Sequence, residues 1–162
     1  MKSKILVLIF IALFLNACGP SPSSEIYSLE LDVNEFKKSE HYERFWDIMD
    51  VFKKNQERLS DEDFIKENRA DLVSLMESIG INSVECSNKL RDIGLNAKNK
   101  KVMNHFLLRC NMYEKVGQFW AVDWDDYLAG KSKSPNFVEL IDDTFNQKAF
   151  YDNEYLKLRS ET

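Results

Sequence analysis

The chain has 162 residues, of which 44% are hydrophobic, 30% charged and 12% aromatic, and its formal charge is −5. Those values exclude a disordered polymer, a collagen-like chain and a multispan membrane protein, and they allow one domain or one domain with a tail. The negative charge gives no general electrostatic support to nucleic-acid binding.

The chain opens with Met1-Lys2-Ser3-Lys4 and an unbroken apolar run from Ile5 to Leu15. Small residues and Cys18-Gly19 follow. Positive charge, a short apolar core and small residues at a cut site are the parts of an export signal. The run is shorter than the roughly 20 apolar residues of a membrane-spanning helix. Leu15-Asn16-Ala17-Cys18 resembles the lipobox of bacterial lipoproteins. That family most often has Ala or Ser where this chain has Asn16, at a permissive position. The resemblance covers residues 1 to 19. It implies cleavage before Cys18, diacylglycerol on its thiol and acylation of the new amine. Each buried methylene contributes about 0.8 kcal/mol, so two or three acyl chains hold where one does not. Gly19 stands where an Asp favours retention at the inner membrane. The resemblance therefore implies an outer-membrane lipoprotein whose body faces the periplasm.

The expected organisation is a signal peptide over residues 1–17, the lipidated Cys18 with a linker over 18–25, and a periplasmic domain over 26–162. Cleavage removes Lys2 and Lys4, so 20 of the 22 basic residues remain against 27 acidic ones, a formal charge of −7. The lipid, not the surface charge, then holds the body to a membrane. Gly19-Pro20-Ser21-Pro22-Ser23-Ser24 reads as a semi-extended linker. Once Cys18 is assigned to lipid, Cys86 and Cys110 remain as a pair in an oxidising compartment, which predicts a disulfide between them. A loop of about 25 residues would stabilise the fold by roughly 3.5 kcal/mol in the chain-entropy model. Two antiparallel helices meeting near Gly94 and Lys100 would bring the two cysteines level. A metal site shared with His105 lacks any CxxC or HxxxH pair.

Along the mature chain, Leu29, Leu31 and Val33 alternate with polar residues, and Ile26 to Val33 reads as an extended arm without a partner strand. A first helix spans about Ser39 to Leu59, capped by Asn34 or Ser39, with Tyr42, Phe45, Trp46, Met49, Phe52 and Leu59 on one face. A second starts at a Ser60 cap, carries Phe64, Ile65, Leu72, Leu75, Met76 and Ile79 inward, and stops at Gly80. A third, short helix is capped by Asn82 or Ser83, turns Val84, Leu90 and Ile93 inward and closes at Gly94. Lys98 to Lys101 mark the turn into a fourth helix, with Val102, Met103, Phe106, Leu107, Cys110, Tyr113, Val116 and Trp120 on one face. Asp123 caps a brief continuation to Gly130. Ser134-Pro135 starts a fifth helix through Phe137, Val138, Ile141, Phe145 and Ala149, and Tyr151 to Leu158 forms a last turn or a frayed helix. Five or six amphipathic helices with short connections predict an all-α, compact bundle.

Residues that could carry chemistry are few. His41 sits beside Glu40 and Glu43, and His105 lies four residues before Arg109, neither in a recognisable nucleophile motif. Asp123, Asp125 and Asp126 lack the turning glycine of a calcium loop. Trp120, Asp123, Trp124 and Tyr127 form an aromatic and acidic stretch that either extends the core or presents a recognition surface for a sugar or a cation. Lys98, Lys100 and Lys101 make a basic knot at a helix start, the electrostatically unfavourable end for cations. The resulting expectation is a membrane-tethered, non-enzymatic binding module without metal or cofactor. It would engage an envelope or secreted protein, preferentially basic, as an inhibitor or immunity-type lipoprotein does. The alternatives are a cell-wall hydrolase, in which His41 or His105 converges with a carboxylate, and a structural accessory subunit of an envelope complex.

Overall fold

In a computed structural model, residues 19–120 and 137–161 are described. Their regular elements are all helical: α1 (Pro22–Ser28), α2 (Glu30–Lys37), α3 (Glu40–Lys54), a 3-10 turn (Arg58–Ser60), α4 (Glu62–Glu67), α5 (Arg69–Asn96), α6 (Lys100–Trp120) and α7 (Phe137–Ser160). The all-α bundle holds, and the number and limits of its helices differ from those expected.

Ile26 to Val33 is helical, not an extended arm. Ser21 Oγ accepts from the Ser24 N–H at 3.3 Å, and Pro22 follows at the first helical position, where its fixed φ suits a helix. Helix therefore starts inside the expected linker. Ile26, Leu29, Val33 and Phe36 are buried at steps of three and four residues, whereas Leu31 is 76% exposed. The apparent two-residue alternation is a partial sampling of this helical series.

Ser39 caps α3 as expected, its Oγ accepting from the Tyr42 N–H at 3.3 Å. The helix ends at Lys54, and Leu59 is buried from the 3-10 turn beyond it. The cap of α4 is Asp61 rather than Ser60: its Oδ1 accepts from Asp63 and Phe64 N–H at 3.0 and 3.3 Å.

The two helices expected on either side of Gly80 are one continuous α5. Asn82 and Ser83 lie in its interior, where their side chains donate to the Ser78 and Ile79 carbonyls at 2.7 Å each. Such back-bonding satisfies the side chain without ending the helix. Val84 points outward at 55% exposure, while Cys86, Leu90 and Ile93 are buried. Gly94 also lies within α5 and does not close it. Its role is close approach. A Cβ there would sit 3.1 Å from Phe106 Cβ, and one on Gly117 would sit 3.2 Å from Ser83 Cβ. These two contacts draw α5 and α6 into an antiparallel hairpin with the largest interface in the fold.

The other helices clothe that hairpin. α3 packs on α5, while α7 packs on α6 and α1. At the junction Phe45 meets Tyr113 edge-on at 4.7 Å between ring centres, and Trp46 Nε1 donates to Tyr113 Oη at 3.2 Å. α7 continues unbroken to Ser160 with Tyr155 and Leu158 buried, so its end is neither frayed nor separate. The continuation after Trp120 and the Ser134-Pro135 start lie outside the described residues.

The glycines separate propensity from packing. A Cβ added to Gly80 would meet nothing within 4 Å, so Gly80→Ala should stabilise the protein by about 0.5–1 kcal/mol. Gly94→Val should destabilise it by about 1–3 kcal/mol, because Phe106 Cβ is fixed to its backbone and cannot give way. Urea denaturation of both variants checks the opposite signs.

Candidate functional site

Cys86 and Cys110 are both buried and both free thiols, so the expected disulfide is not formed. The reason is helical register. Cys110 faces Ser87, with Sγ at 2.8 Å from Ser87 Oγ and 3.3 Å from the Ser87 carbonyl oxygen. Ser87 lies about 100° around the helix from Cys86. Distance from the shared turn fixes height along the hairpin but not the direction in which each side chain leaves it. Burial pushes the Cys86 thiol up to about 12. Burial also raises that of Cys110, against the pull of its Ser87 hydrogen bond. Both are poor nucleophiles as placed.

A buried polar cluster crosses from α6 to α7. Arg109 is only 3% exposed, and its Nη2 lies 3.0 Å from Asp152 Oδ1. The contact is an ion pair by distance without hydrogen-bond geometry, which leaves Arg109 Nε and Nη2 without a hydrogen-bond acceptor. Asp152 also accepts from Lys148 Nζ at 2.7 Å. Lys148 lies over the Trp46 ring at 5.3 Å, and Lys37 over the Tyr155 ring at 5.4 Å. Burial opposes the charge on Asp152. The Lys148 hydrogen bond and the charges of Arg109, Lys148 and Lys37 outweigh it and hold the carboxyl below its usual range. Burial, then the Arg109 charge, lowers Lys37.

His105 borders this cluster between Phe106, Tyr151 and Tyr155, with ring centres 5.2 to 6.0 Å away. Its Nε2 is enclosed and has no hydrogen-bond partner. Burial first, then the neighbouring Arg109, brings its pKa down to about 4, against the opposing pull of Glu154 and Asp152. It is neutral at neutral pH. His41 Nδ1 is 2.9 Å from Asn82 Oδ1. Because that oxygen can only accept, Nδ1 carries the hydrogen. Among the described residues no carboxylate hydrogen-bonds either ring, although Glu154 and Asp152 lie near enough to His105 to act on its charge.

On the side of the hairpin near Gly117, a groove of about 350 Å³ runs between α5 and α6, lined by Ser83, Val84, Ser87, Glu114, Gly117 and Gln118 among others. Ser87 Oγ donates to Glu114 Oε1 at 3.0 Å, and Arg91 pairs with the same carboxylate. The sequence reading missed this groove. Its signal was present: Ser83 and Ser87 recur four residues apart, and Gly117 is a small residue that can lie close to them on the facing helix. Trp120 is the last residue of α6. Its side chain, and all of Asp123, Trp124 and Tyr127, lie outside what is described. No three His, Cys, Asp or Glu side chains group as a metal site among the described residues, and no described helix is long and apolar enough to cross a membrane.

No protein-family model matches the sequence, no curated protein matches it, and no solved structure matches the fold.

His105 makes the fold acid-sensitive. Its folded pKa of about 4 lies below the ordinary value of 6.5. The unfolded chain therefore gains a proton first as pH falls, and stability is lost between about pH 6.5 and 4. The full loss is about 3 kcal/mol. Urea denaturation at pH 7.5 and 4.5 should show a smaller pH penalty for His105→Gln than for the parent. The thiols give a second check. With the native protein at pH 8, Cys86 and Cys110 should stay unreactive to Ellman's reagent, and both should react once guanidinium unfolds the chain. A missing pair of thiols in the unfolded sample would mean that they are oxidised.

Proposed function

We propose that this chain is a bacterial lipoprotein, anchored in the cell envelope through lipid on Cys18 and destined for the outer membrane, with its helical body in the periplasm. The observation that carries this reading is Leu15-Asn16-Ala17-Cys18 at the end of a short apolar core behind two lysines. Acyl chains there supply the membrane affinity that the acidic body lacks.

The body acts as a non-enzymatic binding module for an envelope or secreted protein, in the manner of an inhibitor or immunity protein. The α5–α6 groove supports this reading. Its rim carries Val84, and Ile81, 63% exposed, lies one helical step away on the same helix. Apolar contacts at Val84 and Ile81 suit a partner with an apolar anchor, and a basic flank on it would meet the body's acidic charge. The formal charge of −7 after cleavage steers the same kind of partner.

Cys18→Ser should move the protein from the membrane to the soluble periplasmic fraction and abolish incorporation of labelled palmitate. Unchanged fractionation would overturn the anchor. For the binding role, a photo-crosslinking residue at Val84 should capture a discrete protein in intact cells, and one at Lys66 should not.

A further inference from the structure

The first described residues sit at the same end of the bundle as the α5–α6 turn. Asn99 Nδ2 donates to the Pro20 carbonyl at 2.7 Å, and the Lys98 N–H donates to the buried Glu25 carboxylate at 2.8 Å. The Ser23 N–H donates to the Glu161 carbonyl at 3.2 Å. Pro20 is thus fastened to that turn, and exposed Gly19 precedes it.

Lys98, Lys100 and Lys101 are all exposed at this end. Lys101 pairs with Glu161 at 2.7 Å. Lys98 and Lys100 have no ion pair among the described residues. Lys100 and Lys101 open α6, where the positive end of the helix disfavours cations. Helix stability does not account for them.

We propose that this end of the bundle docks on anionic phospholipid headgroups, with Lys98 and Lys100 as the unpaired contacts, and thereby orients the body on its membrane. The proposal rests on the Cys18 anchor argued above. From Cys18 to Pro20 the chain spans at most about 7 Å. Lipid on Cys18 brings headgroups to roughly one Debye length, about 8 Å, from the turn that holds Pro20. Within that range the lysines feel the surface, and each one docked against it favours binding by about fivefold. The acidic remainder of the body is repelled by the same surface, so both signs of charge select one orientation.

The complete mature lipidated protein is bound to vesicles of phosphatidylethanolamine with phosphatidylglycerol, or of phosphatidylcholine alone, and lysine acetylation is followed by mass spectrometry. Lys54 and Lys66 serve as exposed references, since α5 separates Lys66 from the basic turn by about 40 Å. On anionic vesicles, labelling of Lys98 and Lys100 should slow at least fivefold while the references do not change. On phosphatidylcholine the protection should disappear. Lys98→Gln with Lys100→Gln should abolish the lipid-dependent protection read at Lys101, and the paired Arg substitutions should retain it. Equal labelling of both ends in protein that floats with the vesicles overturns the docking and leaves the anchor standing. Equal protection on neutral vesicles overturns the role of headgroup charge. Protein that does not float with either vesicle overturns the anchor, and the docking with it.

Discussion

The close approach of α5 and α6 is the constraint on which the rest of the structure depends. Two helices normally pack with axes 8–10 Å apart, set by the side chains between them. Here Gly94 meets Phe106 and Gly117 meets Ser83, at opposite ends of the hairpin. Two such contacts fix both the spacing and the sliding register of a pair that a single contact would leave free to shift. Register then decides chemistry. It sets Cys110 against Ser87 rather than Cys86, and it places Ser87 within reach of Glu114. It also turns Arg109 away from α5 towards Asp152 on α7.

Arg109 shows what this geometry costs. A guanidinium that is almost wholly buried, with two nitrogens lacking an acceptor, loses hydration that one carboxylate does not fully replace. Asp152 is shared with Lys148, so the cluster carries more positive than negative charge. Two of its cations lie over aromatic rings, Lys148 above Trp46 and Lys37 above Tyr155. Ring faces attract cations without needing a second carboxylate. The arrangement ties α2, α3, α6 and α7 together at one point, and it favours a neutral His105 beside Arg109. An apolar cluster of the same volume could match its stability. What the polar cluster adds is a directional requirement on how α7 lies across α6.

Much of this was legible in the sequence, and the failures share a cause. Caps with side-chain oxygens before an amphipathic run were readable at Ser39, because capping is local. Most of the buried faces of α3 and α6 were readable because 3.6-residue periodicity is also local, although Ile48 and Met112 are buried beyond the expected stripes. Gly80 and Gly94 were misread as stops. A glycine inside a helix and a glycine at its end look the same until the facing helix is known, and for Gly94 that neighbour is Phe106, across the hairpin. The disulfide failed on rotation about the helix axis. Sequence distance from a turn gives height along a helix to within a residue, yet one residue is about 100° of direction. The Arg109 cluster was invisible for the same reason, and the small residues Ser83, Ser87 and Gly117 mark a groove only once it is known that their helices face each other.

The end of the bundle that holds Pro20 connects these physical points to a role. A lipid anchor alone leaves the attached body free to swivel, because a linker of flexible residues transmits little orientation. With the anchor proposed on Cys18 that freedom would be reduced, since helix begins at Pro22, only four residues further on, and Asn99 grips the intervening Pro20 carbonyl. Under the anchor proposed on Cys18, the body is coupled to its tether as a nearly rigid unit. α5 and α6 both run away from that end, so the groove at Gly117 stands roughly 25 Å along α6 from the basic turn. On the lipoprotein reading proposed above, a binding surface held at a fixed height above a bilayer would meet partners arriving through the periplasm at a defined distance and angle. A short, gripped tether with a distal groove is the geometry such presentation requires, and a long flexible linker would remove it.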